Sequence, residues 1–378
     1  MALINKDNTL FLGIDDYNLR PKSYTKDIHN FDDTDYWYAE FFDDRSIRFL
    51  LDPNVLSGDV LQRLHYKTCI LMLNNAHEAF HNVVRPIYDI AVKQLNIPPE
   101  QIVLISESAI IDKEVEQVAS EYNLGKIKTE WMRLFEHDTT VVEHKPLATL
   151  EYKQYDKKFL NFNRRWRIHR PALVALLELK GLLDKGYVSL AKTAEYNADW
   201  DIFFEHMFWS LRDNPDFIST FVRNKGRIKN IPEMTLDQSD MTINHASELT
   251  DSTDEYYTNT YFSVVSETNF FKVMAEGLFV SEKIFRPILK KHPFVLVSRP
   301  NTLSMLKRIG YKTFDSIINE DYDREEDDCK RMLMIVDEID RLCHLSDDEL
   351  RVFLTKAKEI TEYNYNVLFD KTEFLTIL

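Results

Sequence analysis

The stretch Phe279–Ser298 reads FVSEKIFRPILKKHPFVLVS and holds a helix start. Ser281 is a suitable N-cap, which places Glu282 and Lys283 in the first helical turn, where free N–H groups and the positive dipole end attract anions. Lys283 would add a point charge for a phosphate, and the Glu282 carboxylate can only accept hydrogen bonds, as from sugar hydroxyls. Pro287 predicts a kink or restart past the first turn. The pair suits a ligand with phosphates and hydroxyls, such as a nucleotide sugar; ordinary capping and solvation is the alternative.

Similar strand-to-helix steps recur along the whole chain. Apolar runs that end in polar residues alternate with helical patterns, and this alternation predicts parallel sheets with helices covering both faces. The predicted strands are LFLGI (10–14), TCILMLNN (68–75), QIVLISES (101–108), KFLNFN (158–163), YVSLA (187–191), YFSVVSE (261–267) and PFVLVS (293–298). The other predicted helices are 76–95, 115–122, a helix from 170 that ends at Gly186, an aromatic-rich helix at 200–217, 301–311, 327–345 and 347–363. The aromatic residues of the helix at 200–217, Phe208 and Trp209 among them, are expected in the core rather than on a sugar-stacking surface.

The fold class that follows is α/β, with two Rossmann-like domains facing a cleft and a helical C-terminus. A polar connection near residue 150 separates two halves with the same strand–helix order. We therefore predict an acceptor-binding domain at 1–150, a donor-binding domain at 151–355 and a terminal helix at 356–378 that packs back on the first domain. In such sheets, ligands bind outside the carboxyl ends of the strands.

Composition limits the class of protein. The chain has 378 residues, 44% of them hydrophobic and 29% charged, which is typical of a soluble globular protein. No apolar run is long enough to cross a membrane, and the N-terminus lacks a secretory pattern. Three widely spaced cysteines argue against disulfides and against a structural zinc site. We expect a cytoplasmic protein, in the host cytoplasm if the chain is viral, with no membrane partner.

The formal net charge of −15 argues against a surface that binds nucleic acid broadly. Two clusters of cations nevertheless stand out, KKFLNFNRRWRIHR (157–170) and RNKGRIKN (223–230). In so acidic a chain, such clusters indicate a local anionic ligand, and a solvated positive face is the alternative. The sequence lacks a dinucleotide-binding glycine fingerprint and a Walker motif, which disfavours a dehydrogenase or an NTPase.

The chain resembles a known family between about Lys157 and Tyr322. The block TYFSVVSETNFF…EGLFVSEKIFRPILKKHPFVLVSRPNTLSMLKRIGYKTFDSIINEDYD is similar to the donor-binding region of GT-B glycosyltransferases, in particular to a phage and bacterial group distantly like the α-1,3-fucosyltransferases. The group has an acidic residue at one strand end, a Thr/Ser-Glu-Lys at the next helix start and a strand after a proline. An Asn-Arg-Arg…His-Arg before the first helix of the donor domain also resembles this group.

The resemblance implies a nucleotide-sugar site built without a metal or a bound cofactor, with a UDP- or GDP-linked sugar as co-substrate. It assigns Arg164, Arg165 and Arg170 to the donor diphosphate, with His169 nearby. Lys283 would contact the phosphates and Glu282 the donor hydroxyls. Ser266 and Glu267 would contact the sugar or the base.

The general base and the metal alternative rest on weaker patterns. An inverting enzyme needs a base from the first domain, and the candidates at strand ends are Asp15 and Asp16, His77 and Glu78, and Glu107; we select Glu78 and Asp16 as catalytic candidates. A retaining enzyme needs none of them. The triplets Asp33-Thr34-Asp35 and Asp199-Trp200-Asp201 are formally of the metal-binding Asp-X-Asp type, but neither follows a convincing strand, so no metal is expected.

The leading functional hypothesis is a nucleotide-sugar-dependent, metal-independent glycosyltransferase. Modified (hydroxymethylated) bases in DNA are a candidate acceptor, and a glycan or a protein is the alternative. Two further hypotheses from other classes stay open: a non-catalytic nucleotide- or glycan-binding protein, and a nucleic-acid enzyme of unrelated chemistry.

Overall fold

The computed structural model has an α/β fold made of two compact units. It describes residues 28–31, 34–40, 44–52, 56, 58–75, 83–133, 135–136, 139, 147, 152–155, 157–163, 166–190, 199–236, 253–272, 277–278 and 280–370. Unit 1 takes in the described residues up to 133 together with 277–278, and unit 2 takes in the others. Each unit has its own sheet and its own apolar core.

Unit 1 is built on a five-stranded sheet in the order β1-β2-β3-β4-β5, in which only β1 is antiparallel to its neighbour. Its strands are β1 (Ile28–Phe31), β2 (Thr34–Glu40), β3 (Cys69–Asn75), β4 (Ile102–Ser106) and β5 (Lys128–Trp131). Its helices are α1 (Asp44–Leu50), α2 (Gly58–His65), α3 (Val84–Ile87, continued as a π-helix over Tyr88–Gln94) and α4 (Ile111–Tyr122). The predicted strands at 68–75 and 101–108 are confirmed, while the one at 10–14 lies outside the described residues.

Unit 2 is built on a four-stranded, fully parallel sheet in the order β7-β6-β8-β9. Its strands are β6 (Phe159–Asn161), β7 (Gly186–Val188), β8 (Phe262–Ser266) and β9 (Phe294–Val297). Its helices are α5 (His169–Leu179), α6 (Trp200–Ser210), α7 (Pro215–Arg223), α8 (Lys225–Lys229), α9 (Asp254–Thr258), α10 (Glu282–Leu289), α11 (Thr302–Arg308), α12 (Asp328–Cys343) and α13 (Asp347–Asp370). Every residue of β6, β8 and β9 is buried, which is why these strands are almost continuously apolar.

Two predicted helices in unit 2 end earlier than the sequence suggested. The helix expected to run to Gly186 stops at Leu179, because Gly181 adopts φ +71° just after it and closes a Schellman motif. In that motif the N–H of Leu182 donates to the carbonyl of Leu177 at 2.8 Å. The aromatic-rich helix likewise divides into α6 and α7, and Pro215 begins the second of them.

The C-terminal part of the described chain is helical, as predicted. α13 belongs to unit 2, and its buried residues Leu350, Phe353, Leu354, Ala357 and Leu368 join the core of that unit. The packing of the terminal segment 356–378 on the first domain stays a prediction. Among the residues that the structure describes, no helix is both long enough and apolar enough to cross a bilayer.

Gly186 gives a test of the packing beneath β7. A Cβ atom at this position would lie 2.5 Å from two ring atoms of Phe159, which is fully buried and stacks on Phe262 with 5.9 Å between ring centroids. Since φ at Gly186 is −118°, the obstacle is steric alone. Gly186→Ala is expected to lower the free energy of unfolding by about 1–3 kcal/mol in a urea titration.

Gly226→Ala is the matched control, because no heavy atom lies within 4 Å of its Cβ position and the residue is in α8. That substitution should raise stability by about 0.5–1 kcal/mol. Equal effects at the two glycines would contradict the described packing of Phe159.

Candidate functional site

Unit 2 reverses its direction of strand addition between β6 and β8. The chain adds β7 on one side of β6, then returns to place β8 and β9 on the other side. Because parallel crossovers are right-handed, α5 and α10 cover opposite faces of the sheet, and the segments after β6 and β8 diverge. A crevice at such a switch point, outside the carboxyl ends of the strands, is where open α/β sheets bind ligands.

A cavity of about 60 Å³ lies beside this switch point. Three cationic side chains line it: Arg170 from α5, and Lys283 and Arg286 from α10. Ser189 and Ser266, which follow β7 and end β8, add hydroxyl groups to the lining. The cavity is much smaller than a typical ligand pocket of about 300–1,000 Å³, so it suits one small polar group or a few waters rather than a whole nucleotide.

The buried carboxylate of Glu267 links the end of β8 to the start of α10. Its Oε1 accepts from the Ser281 N–H at 3.2 Å, and its Oε2 accepts from the Ser281 hydroxyl at 2.7 Å and from the Thr268 N–H at 3.1 Å. Burial raises the pKa of Glu267 above its usual value, although Lys283 and the Ser281 hydrogen bond act in the opposite direction. Ser281 is at the same time the N-cap of α10, as the sequence predicted.

The backbone of the same segment is held from α5. Arg170 donates through Nη2 to the carbonyl oxygens of Ser266 and Glu267, at 3.2 and 3.3 Å. His169 approaches the Glu267 carbonyl with Nε2 at 2.9 Å, which requires the Nε2–H tautomer. Burial, and then the charge of Arg170, hold the pKa of His169 well below its usual value, so the imidazole is neutral at pH 7.

Lys283 lies over the first turn of α10. Its Nζ is 2.5 Å from Oε1 of Glu282, 3.1 Å from the Ser281 hydroxyl and 3.4 Å from the Thr268 hydroxyl. The Lys283 side chain is 26% exposed and that of Glu282 is 8% exposed, so the ammonium is the more accessible of the two charges. Pro287 is accommodated inside α10 without ending the helix.

A chain of amide hydrogen bonds crosses the switch point. Asn161, the last residue of β6, donates through Nδ2 to the Val264 carbonyl at 2.6 Å and to the Ser266 hydroxyl at 3.2 Å. Asn163 donates through its own Nδ2 to Oδ1 of Asn161, and its backbone N–H donates to the Ser189 hydroxyl at 2.9 Å. All of these side chains are buried. The amide chain therefore joins β6 to β8 where the two strands end.

The structure thus brings together five of the predicted donor-site residues, namely Arg170, Ser266, Glu267, Glu282 and Lys283. Arg164 and Arg165 lie outside the described residues, as do Asp16 and Glu78. Glu107 follows β4 in unit 1 and is buried. Within unit 2, the side chains of Ser266 and Glu267 accept hydrogen bonds from other protein groups. Both residues therefore hold neighbouring elements of the site in position.

Sequence reasoning missed Arg286 and Asn161, and it gave no role to Asn163, the asparagine of the Asn-Arg-Arg motif. Arg286 follows Lys283 at i+3 on one helix face, and this spacing could have revealed it. Asn161 and Asn163 alternate at the end of an apolar strand, a pattern that also indicates an edge of polar side chains.

The alternative sites lose support in the described residues. Asp199 caps α6 by accepting from the N–H groups of Asp201 and Ile202, and Asp201 pairs with Lys229 at 2.6 Å and Lys225 at 3.4 Å. Within the described ranges, no group of three or more His, Cys, Asp or Glu side chains is placed to hold a metal ion.

The second cationic stretch, residues 223–230, is partly neutralised by acids. In addition to Lys225 and Lys229, Arg227 pairs with Glu178 at 2.7 Å.

Phe208 and Trp209, expected in the core, are 47% and 76% exposed, because α6 buries only the face that carries Trp200, Phe203, Phe204 and Met207.

No protein-family model matches the sequence, and no curated protein matches it significantly. Several solved structures are similar in fold. Apo OtsA is 11% identical over 89% of this chain and 79% of that chain, with a TM-score of 0.38. A T4 phage BGT mutant in complex with UDP-glucose is 13% identical over 87% and 78%, also with a TM-score of 0.38. An α,α-trehalose-phosphate synthase (UDP-forming) from Burkholderia vietnamiensis is 9% identical over 88% and 74%, with a TM-score of 0.40.

These neighbours are GT-B glycosyltransferases, and none of the comparisons shows the resemblance to the α-1,3-fucosyltransferases. With TM-scores this low, they add nothing to the chemistry of the site, which rests on the residues of unit 2.

Glu267→Gln tests the link between β8 and α10. Glutamine has a single acceptor oxygen, so its NH₂ group would face donors from Ser281 or Thr268. We expect the free energy of unfolding to fall by about 1–3 kcal/mol in urea titrations. Glu359→Gln, at an exposed position of α13, is the matched control and should change stability by less than about 0.5 kcal/mol. A Glu267→Gln protein as stable as the wild type would contradict this role.

The neutral state of His169 gives a pH prediction. Its pKa is lowered in the folded state from about 6.5, so the unfolded chain binds more protons and stability is lost as pH falls below about 6.5. His169→Gln keeps a donor but cannot be protonated. The stability difference between wild type and variant, measured by urea titration from pH 7.5 to pH 4.5, should therefore shift in favour of the variant on acidification. A difference independent of pH would show that His169 does not titrate differently in the folded chain.

Proposed function

We propose that this protein is a nucleotide-sugar-dependent glycosyltransferase that binds its donor at the switch point of unit 2. The observation that carries the proposal is the position of Arg170 and Lys283, which line one cavity where β6 and β8 end and α10 begins. Two fixed cations and a helix N-terminus at the carboxyl edge of a parallel sheet suit a diphosphate.

The chemistry follows from the leaving group. When the bond between the anomeric carbon and the donor oxygen breaks, the nucleoside diphosphate gains negative charge. Lys283 is partly exposed, and Arg170 lines the same cavity with its positive charge in a buried position. Because these cations are already placed, they stabilise the transition state without reorganisation. Arg164 and Arg165 remain proposed contacts of the same diphosphate.

The two acidic residues take different parts in this proposal. Glu282 lies beside Lys283 and would accept hydrogen bonds from donor hydroxyls once Lys283 turns toward phosphate. Glu267 is a positioning residue, since its carboxylate oxygens accept from Ser281 and Thr268. Ser266, which accepts from Asn161, is a positioning residue for the same reason.

The cations of the site take the place of a divalent metal in this proposal. We therefore expect no bound cofactor and transfer that continues in the presence of a chelator, with a UDP- or GDP-linked sugar as co-substrate.

The acceptor and its general base are further proposals. Asp16 and Glu78 remain the proposed base candidates, and Glu107 is a third at the carboxyl edge of the unit 1 sheet. Modified bases in DNA remain an acceptor to test, but the pairing of Lys225, Arg227 and Lys229 with carboxylates argues against residues 223–230 tracking DNA phosphates. A glycan or protein acceptor has no phosphate backbone, so it does not require free cations at residues 223–230.

Lys283→Ala tests the donor site directly. The protein is incubated with UDP-, GDP- and CDP-sugars and a panel of glycans, peptides and hydroxymethylated DNA, and products are identified by mass spectrometry. We expect the wild type to transfer one sugar and Lys283→Ala to lower kcat about 100-fold. Lys356→Ala, at an exposed position of α13, is the control and should retain full activity.

The outcomes separate the hypotheses. Binding of a nucleotide sugar without turnover would favour the non-catalytic binding protein. Salt-dependent binding of duplex DNA without sugar transfer would favour an unrelated nucleic-acid enzyme. Full activity in Lys283→Ala would reject the site.

A further inference from the structure

The Asn163 side chain has a buried acceptor that the described residues do not satisfy. Asn163 is fully buried, and its Oδ1 has no hydrogen-bond partner among the residues that the structure describes. A buried polar atom left in this state is costly, and in native proteins it usually meets a water, an ion or a ligand. Asn163 follows β6, beside the switch point that the proposed donor occupies.

The orientation of this amide is fixed by its neighbours. Asn161 must present Nδ2 to the Val264 carbonyl, because a carbonyl oxygen only accepts. Oδ1 of Asn161 is then left to face Asn163, so Asn163 must present its own Nδ2 there. A rotated amide would place two oxygens against each other. The unsatisfied atom of Asn163 is therefore its oxygen, and the group that it requires is an O–H or an N–H donor.

This requirement excludes the charged part of the donor. Phosphate oxygens of an ionised diphosphate only accept hydrogen bonds and cannot serve Oδ1 of Asn163. A ribose or sugar hydroxyl and a nucleobase N–H both can. Ser189, whose hydroxyl accepts from the Asn163 N–H, lines the cavity together with Arg170 and Lys283, so the backbone of Asn163 is one hydrogen bond away from the lining that carries the cations.

We propose that Asn163 is a specificity-determining residue of the donor site, accepting a hydrogen bond from a hydroxyl or ring N–H in the uncharged part of the nucleotide sugar. This inference rests on the proposed function and deepens it. Cations select for the diphosphate, while Asn163 distinguishes ligands that carry a correctly placed donor from those that lack it.

The test is a thermodynamic cycle between the protein and its ligands. Asn163→Ala and wild type are titrated calorimetrically with UDP, GDP, their 2′-deoxy and 3′-deoxy analogues, the matching nucleotide sugars and inorganic pyrophosphate. We expect Asn163→Ala to weaken binding of the preferred nucleotide by a factor of about 10–100 and that of pyrophosphate by less than about twofold. For the one analogue that lacks the recognised group, Asn163→Ala and the wild type should bind with equal affinity. A loss seen only with the nucleotide sugar identifies a hydroxyl of the transferred sugar.

Asn364→Ala is the matched control, because Asn364 is also a buried asparagine but exchanges two hydrogen bonds of 2.8 Å with the backbone of Lys312. It should lower the melting temperature and leave the ratio of nucleotide to pyrophosphate affinity unchanged. Should Asn163→Ala fail to fold, Asn163→Ser serves in its place, since its short hydroxyl cannot reach the ligand.

Three results would overturn the inference. An equal loss for pyrophosphate and nucleotides would make Asn163 a structural residue. An unchanged affinity in Asn163→Ala would mean that a buried water satisfies the acceptor. If the wild type binds no nucleotide at all, the proposed function itself fails together with this inference.

Discussion

The carboxylate of Glu267 is the constraint on which the site depends. It accepts three hydrogen bonds from Thr268 and Ser281, and its backbone carbonyl is held by His169 and Arg170. One residue thereby fixes the end of β8, the start of α5 and the start of α10 relative to one another. Because the positions of Arg170 and Lys283 depend on those three element ends, the same hydrogen bonds also fix where the two cations of the candidate site lie.

Such an arrangement is stable only because buried charges have compensating groups. A lone buried carboxylate or ammonium would cost several kcal/mol, and even a buried pair must satisfy its remaining hydrogen bonds. Elsewhere in unit 2, Lys290 lies 2.6 Å from Asp254, and the fully buried Arg331 donates to the carbonyls of Ser298, Phe270 and Glu325. Lys283 differs from these cations because its side chain is partly exposed, so a phosphate can compete for it.

The sequence predicts much of this fold and part of this site. Buried parallel strands are largely apolar, so β3, β4, β6, β8 and β9 could be located, and Ser281 could be identified as a cap from local chemistry alone. The end of α5 was misplaced because two glycines follow it, and only backbone geometry shows that Gly181 takes the left-handed conformation. The exposure of Trp209 was missed because an aromatic helix carries no sign of which face a domain covers.

The roles of polar residues depend on partners distant in sequence. The contact of Glu267 with a sugar or a base stays a prediction, and the nearest donor to its carboxylate, the Ser281 hydroxyl, belongs to a residue fourteen positions later. The sequence marks Asn163 only as part of a polar strand end and of the Asn-Arg-Arg motif, whereas its unsatisfied oxygen follows from the direction of hydrogen bonds through Asn161 into β8. Those directions are properties of the assembled sheet, so a sequence pattern cannot contain them.

The same directions are what the proposed recognition of a ligand with a charged and a neutral part depends on. The Val264 carbonyl forces the orientation of Asn161, and Asn161 forces that of Asn163, so an acceptor is left at the end of the chain of amides. Arg170 and Lys283 can only donate, so an acceptor for a hydroxyl or a ring N–H has to come from another residue, which in the proposed site is Glu282 or Asn163. A nucleotide sugar has both a charged and a neutral part, and in the proposed donor site the carboxyl edge of β6 and β8 would meet each part with a different kind of side chain.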